Sequence, residues 1–288
     1  MLKKDSYVQH PGMPIWGIGK VLENFADDKV RVFFIDAGEK LISLKSITLQ
    51  QIDPPKEFHP VLDNPAIYSR DKSKKFVSLP QAKAEFLLLF PEGFSDTEYF
   101  REERDYKVVA HELMQTQLGK EQYEELLAKA DYTEICRRAL QVANKTNLIF
   151  PNEKMALKDG LQQDASKKLF AEDLFELLYG SASQQLRFER FAKTLDKIKA
   201  AKWTIISYFM FITYPETEMF LKPTVCQHAT DLCAFALNYK SDLNWLTYKC
   251  LLEFSGYLKK ELVKMELAPR DMIDVQSFMW CIRPGSYV

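Results

Sequence analysis

The chain has 288 residues, 47% of them apolar and 13% aromatic, which is enough for one large domain or a small and a larger one. Its 39 lysines and arginines against 40 aspartates and glutamates leave a formal net charge of −1. That balance argues against a protein dominated by nucleic-acid electrostatics, while leaving a local basic patch open. Ten glycines are few, as expected of a mainly helical chain with little room for glycine-rich phosphate loops. The five cysteines (Cys136, Cys226, Cys233, Cys250 and Cys281) are odd in number and lack C-x-x-C spacing, which predicts buried, reduced thiols. Met1-Leu-Lys-Lys-Asp5 lacks the apolar stretch of a signal peptide, and the longest apolar run, Trp203 to Thr213, is far short of the ~20 residues needed to span a bilayer. A cytoplasmic protein with no membrane association is expected.

Tyr7–Gln9 reads as a first strand, followed by a loop through Pro11, Gly12 and Pro14. Trp16 to Asn24 reads as a second, with Gly17 and Gly19 allowing a bend. Asp27-Asp28 turns into Lys29–Asp36, where Val30, Val32 and Phe34 share one side and Arg31 and Phe33 the other. Ala37-Gly38-Glu39 turns again into Lys40–Leu44, and Ser46–Ile52 finishes the set. Short strands at this density predict a small antiparallel SH3-like β-barrel over residues 1–53.

The run His10-Pro11-x-x-Pro14-x-Trp16-Gly17-x-Gly19-x-Val21, followed by Val30-x-Val32-x-Phe34 and Ala37-Gly38-x-Lys40, resembles the small Tudor-like domain of the prokaryotic family DUF3553. That module is similar to the C-terminal Tudor-like domain of UvrD/PcrA helicases and to CarD-type barrels. Those relatives dock on RNA polymerase or associate with nucleic-acid machinery, and the resemblance, over roughly residues 5–52, implies such a role here. Phe34-Ile35-Asp36-Ala37-Gly38-Glu39 also resembles the F-I-D-Y-G-N signature of eukaryotic Tudor domains. Ala37 and Glu39 replace its cage aromatic and asparagine, which argues against reading methylated arginine, since such a cage needs several ring faces.

Residues 54–80 read as a proline-containing basic linker carrying Arg70-Asp-Lys72-Ser-Lys74-Lys75. Gln81–Phe90 then opens a series of helices. Ser95-Asp-Thr-Glu98 has the form of a capping box starting a helix to about Leu118. Helices follow over 121–130, 132–144, 152–162, 165–179 (closed by Gly180), 183–198, 203–213, 224–238, 243–265 and 272–282. The expected class is α+β: a small Tudor/SH3-like barrel, the linker, and a larger all-α helical domain over 81–288. Trp203, Tyr208, Phe209, Phe211, Tyr214 and Phe220 fall around every face of their segment, which predicts a central buried helix.

Candidate chemistry is sparse. His111-Glu112 lacks a second histidine one turn on, so no zinc-hydrolase motif forms. Cys226 and Cys233 share a helix face from which His228 points away, a poor metal site. There is no nucleophile elbow and no P-loop. Asp271 and Asp274, with Gln276 nearby, read best as a helix start, with Asp271 as N-cap. An enzyme would instead show a deep polar pocket near Asp271, Asp274 and Lys202. No catalytic residue, metal or cofactor is assigned, and enzyme activity is left open but not favoured. The expected function is a macromolecular adaptor whose barrel grips a protein partner through Trp16 and Phe33, with Lys20, Arg31 and Lys40 setting the electrostatics. A homodimer is left open. The alternative is direct nucleic-acid binding by the barrel and linker, through Arg70, Lys72, Lys74 and Lys75.

Overall fold

A computed structural model describes residues 2–25, 28–68, 76–283 and 285–287. The chain divides into two compact units, residues 1–89 with 227–237, and residues 90–226 with 238–288. The class is α+β: an N-terminal five-stranded antiparallel sheet, then helices.

The sheet comprises β1 (Tyr7–Gln9), β2 (Gly19–Asn24), β3 (Lys29–Phe34), β4 (Gly38–Ser43) and β5 (Gln50–Ile52), in the order β4-β3-β2-β1-β5. β4 and β5 are its two ends and do not pair with each other among the described residues. The register sets Val30 against Ile42, Val32 against Val21, and Lys20 against Phe33. Period-2 alternation then does what the pattern predicts. Val30, Val32 and Phe34 join Val8, Val21, Ile42 and Leu49 in one apolar cluster. The second strand is shorter than expected, because Pro14–Trp16 is a 3-10 turn and pairing begins only at Gly19. A Cβ at Gly19 would lie 2.7 Å from the Phe34 ring, so the bare backbone lets that ring cross the strand.

Of residues 54–80, expected as a linker, those described at 54–68 and 76–80 fall within the first unit and supply contacts to the sheet's other face. Asp63 pairs with Lys20 at 2.6 Å, and the Phe76 ring meets Phe33 edge-on with centroids 5.3 Å apart. Phe76 also packs over Gly38, whose φ of +68° suits the turn and whose Cβ would sit 2.7 Å from the ring. Val61, Leu62 and Ile67 are buried in the same segment. The basic run Arg70, Lys72, Lys74 and Lys75 lies outside the described residues.

The helices are α1 (Leu79–Leu89), α2 (Thr97–Tyr99), α3 (Asp105–Leu118), α4 (Lys120–Ala128), α5 (Tyr132–Asn144), α6 (Pro151–Gly160), α7 (Asp164–Tyr179), α8 (Gln184–Lys197), α9 (Trp203–Thr213), α10 (Pro223–Leu232), α11 (Trp245–Lys264) and α12 (Met272–Cys281). Every residue of α9 is buried, and it packs against α3, α6, α7 and α8 as the central helix of its unit. Gly180 closes α7 by returning its N–H to the Glu176 carbonyl. The capping box expected at Ser95 is displaced: Asp96 is the cap, accepting from the Glu98 N–H at 2.8 Å. A π-helical turn, Phe100–Arg104, then separates α2 from α3, where one continuous helix was expected. Such turns insert an extra residue and re-aim the side chains they carry. Among the described residues no helix is long and apolar enough to cross a membrane.

Candidate functional site

Trp16 ends the 3-10 turn after β1. Its backbone is held by the Met13 carbonyl on one side and the Asp36 N–H on the other, both near 3 Å. The half-buried indole packs against the sheet cluster, 5.2 Å from the Phe34 ring and 4.7 Å from His10. Lys40, projecting from β4, places its ammonium 5.6 Å from the indole centroid, a cation–π distance. The buried His10 Nδ1 has no hydrogen-bond partner among the described residues. Met13 and Ile15, just before the indole, are exposed, Ile15 at 74%.

The other expected contact residues are engaged elsewhere. Phe33 is 1% exposed beneath Phe76, so its ring offers no face to a partner. Its cross-strand neighbour Lys20 is also buried, and its ammonium is spent on Asp63. Asp63 accepts two more hydrogen bonds, from the Tyr7 hydroxyl and from the His59 N–H at 2.9 Å. Burial works against that carboxylate, but these donors hold it down at about 2. Arg31 lies across the strands between Glu23 (3.3 Å) and Glu39 (3.7 Å). Of the five residues read from the sequence, the structure brings together Trp16 and Lys40. The missed members are His10, which joins the aromatic group, and Asp63, whose 43-residue separation from Lys20 hides the pairing.

The second unit holds the densest buried charge. Asp271 caps α12 through the Ile273 and Asp274 N–H groups, as its position predicts. It also takes the Arg104 fork at 2.8 and 2.6 Å, from the last position of the π turn. Asp274, 0% exposed, accepts from Arg104 at 2.7 Å, the Tyr99 hydroxyl and the Arg270 N–H at 2.8 Å. Burial opposes the Arg104 charge, but the paired aspartates raise its pKa above the usual range. Burial, then the Asp274 charge, drives the Tyr99 hydroxyl well up. One turn on, the fully buried Lys107 meets Glu103 at 3.3 Å and Ser277 at 2.8 Å. The lysine of this region is thus Lys107; Lys202 instead stands at the N-cap of α9.

All five cysteines are buried and reduced. His111 Nδ1 is bonded to the Ile212 carbonyl at 2.7 Å. Among the described residues no three His, Cys, Asp or Glu side chains gather as metal ligands.

Residues 2–52 match the family described as "Protein of unknown function (DUF3553)". The match ends with β5, so it covers the strands and the Trp16 turn but none of the helices. No curated protein and no solved structure matches the chain.

Proposed function

We propose that this chain is a non-enzymatic adaptor, cytoplasmic, whose N-terminal module has Tudor/SH3-like character and docks on a protein partner belonging to the nucleic-acid machinery, such as RNA polymerase. The observation that carries this reading is the half-buried Trp16 under the Lys40 ammonium, beside a buried His10 nitrogen with no hydrogen-bond partner among the described residues and the exposed Met13 and Ile15. A large ring with an apolar body and a nearby cation is the usual form of an interface anchor. Lys40 has no carboxylate in ion-pair range among the described residues, which favours an acidic group on the partner. The buried Phe33 and Lys20 hold the sheet together, and Arg31 sets its rim.

The test is affinity capture with the full chain, comparing wild type, Trp16→Ala and Lys40→Glu, with nuclease treatment in parallel and purified RNA polymerase as a direct probe. The expected outcome is a nuclease-resistant partner lost from both variants. A haul that survives both substitutions but vanishes with nuclease would reject protein docking in favour of direct nucleic-acid binding.

A further inference from the structure

A small cavity of about 110 Å³ opens beside the π turn, lined by Glu102, Glu103, Tyr106, Lys222, Gln276 and Trp280 among others. That volume exceeds the ~10–15 Å³ needed for one water and approaches the ~150 Å³ that admits benzene. A ligand of roughly five heavy atoms is the right scale.

Three polar groups on its wall lack a hydrogen-bond or ion-pair partner among the described residues. Lys222 has no carboxylate in ion-pair range among the described residues. Its ammonium instead lies 4.5 Å from the Phe150 ring centroid and 4.8 Å from that of Trp280. Gln276 is 3% exposed, and its Oε1 is buried without a donor among the described residues. The Tyr106 hydroxyl makes no hydrogen bond to any described residue. A buried, unsatisfied amide oxygen costs about 1–3 kcal/mol, so its retention calls for an occupant.

The acids on the wall do not make this a cation site. Glu103 is held by Lys107 and by the Tyr287 hydroxyl, and Glu102 by Arg101 at 3.0 Å. The unmatched charge is positive. Arg283 adds to it, 5.6 Å from the same indole centroid and likewise without a carboxylate partner among the described residues. Burial, and then the nearby Arg283, lower the Lys222 pKa, and the more distant Glu153 and Glu103 carboxylates offset this only in part.

We propose that this cavity binds a compact oxyanion that also carries a hydroxyl: Lys222 supplies the counter-charge, Tyr106 donates to the anion, and Gln276 Oε1 accepts from the hydroxyl. Hydrogen phosphate and a small 2-hydroxycarboxylate both meet this description and both fit the volume. The site lies within the second unit and does not involve the Trp16 surface, so each reading stands or falls by itself.

The experiment is calorimetry and thermal melting of the full chain with inorganic phosphate, glycolate and acetate as probes. The variants are Lys222→Met, Tyr106→Phe, and Lys249→Met as an exposed-lysine control. Saturable one-site binding of phosphate or glycolate is expected, weakened ~10-fold in the first two variants and unchanged in the control. Which probe binds identifies the ligand class. Tyr106→Phe is nearly isosteric and carries the test should Lys222→Met lose its native circular dichroism. The proposal is overturned by no saturable binding of either probe, by equal affinity in Tyr106→Phe, or by acetate binding as tightly as both.

Discussion

Asp63→Asn tests how the segment after β5 is held to the sheet. The carboxylate accepts from Lys20 at 2.6 Å, from the Tyr7 hydroxyl and from the His59 N–H at 2.9 Å. Its pKa falls from the ordinary 3.8 to about 2 in the folded chain, burial resisting and the donors prevailing. A carboxyl depressed on folding contributes stability that is fully present above its unfolded pKa, near pH 4. That contribution is lost as the pH falls through about 2. A displacement of nearly two units corresponds to about 2.5 kcal/mol at most. The side chain is 23% exposed, so solvent screening reduces this to roughly 1–2 kcal/mol. Hydrogen exchange of Tyr7–Gln9 and Gly19–Asn24 reads the first unit by itself. Wild type and variant should differ by roughly 1–2 kcal/mol in opening free energy at neutral pH, the gap closing between about pH 4 and about pH 2. A gap that stays constant through that window would refute the reasoning, because the ionised carboxylate would then not be its source.

Two further substitutions probe the helical unit. Asp274→Asn removes a fully buried charge and sets an NH2 group against donors from Arg104, Tyr99 or Arg270; a loss of about 3–5 kcal/mol is expected in urea denaturation, and one below ~1 kcal/mol would show that the cluster rearranges freely. Gly256→Ala lies within α11, where an added Cβ meets nothing within 4 Å. It should stabilise by about 0.5–1 kcal/mol, seen as a rise in Tm.

Local physics was legible where one face or one helix decides it. Val30, Val32 and Phe34 share the cluster because side chains alternate along a strand, and α9 is central because no face of it is polar. Asp271 caps its helix because its short side chain reaches N–H groups two and three residues on. What failed was anything set by distant chain. Alternation places Phe33 and Lys20 on a common face but says nothing of Phe76 or Asp63 covering it. Arg104 lies 167 residues from Asp271, and its aim depends on a π turn that no residue type announces. The aspartates were therefore visible as a helix start and invisible as the acceptors of a buried guanidinium.

The fate of each cation separates those that hold the fold from those available to a ligand. Lys20, Arg31, Arg104 and Lys107 all end on carboxylates, and three of those pairings join residues far apart in sequence or in neighbouring strands. A charge-assisted hydrogen bond contributes about 1.5–3 kcal/mol, so withdrawing any of these to meet an incoming anion costs that much before binding begins. Lys40 and Lys222 rest instead on Trp16 and Trp280, with no carboxylate in ion-pair range among the described residues. An exposed cation–π contact contributes about 0.5–1 kcal/mol and leaves the ammonium's outward N–H groups unused. These lysines are held in place without being neutralised, and an arriving anion completes their pairing with no ion pair to break. Electrostatics thus directs attention to the two indoles, one half-buried at the rim of the sheet and one beside a small cavity. The first has the size of a protein anchor, the second the size of a ligand with a handful of atoms.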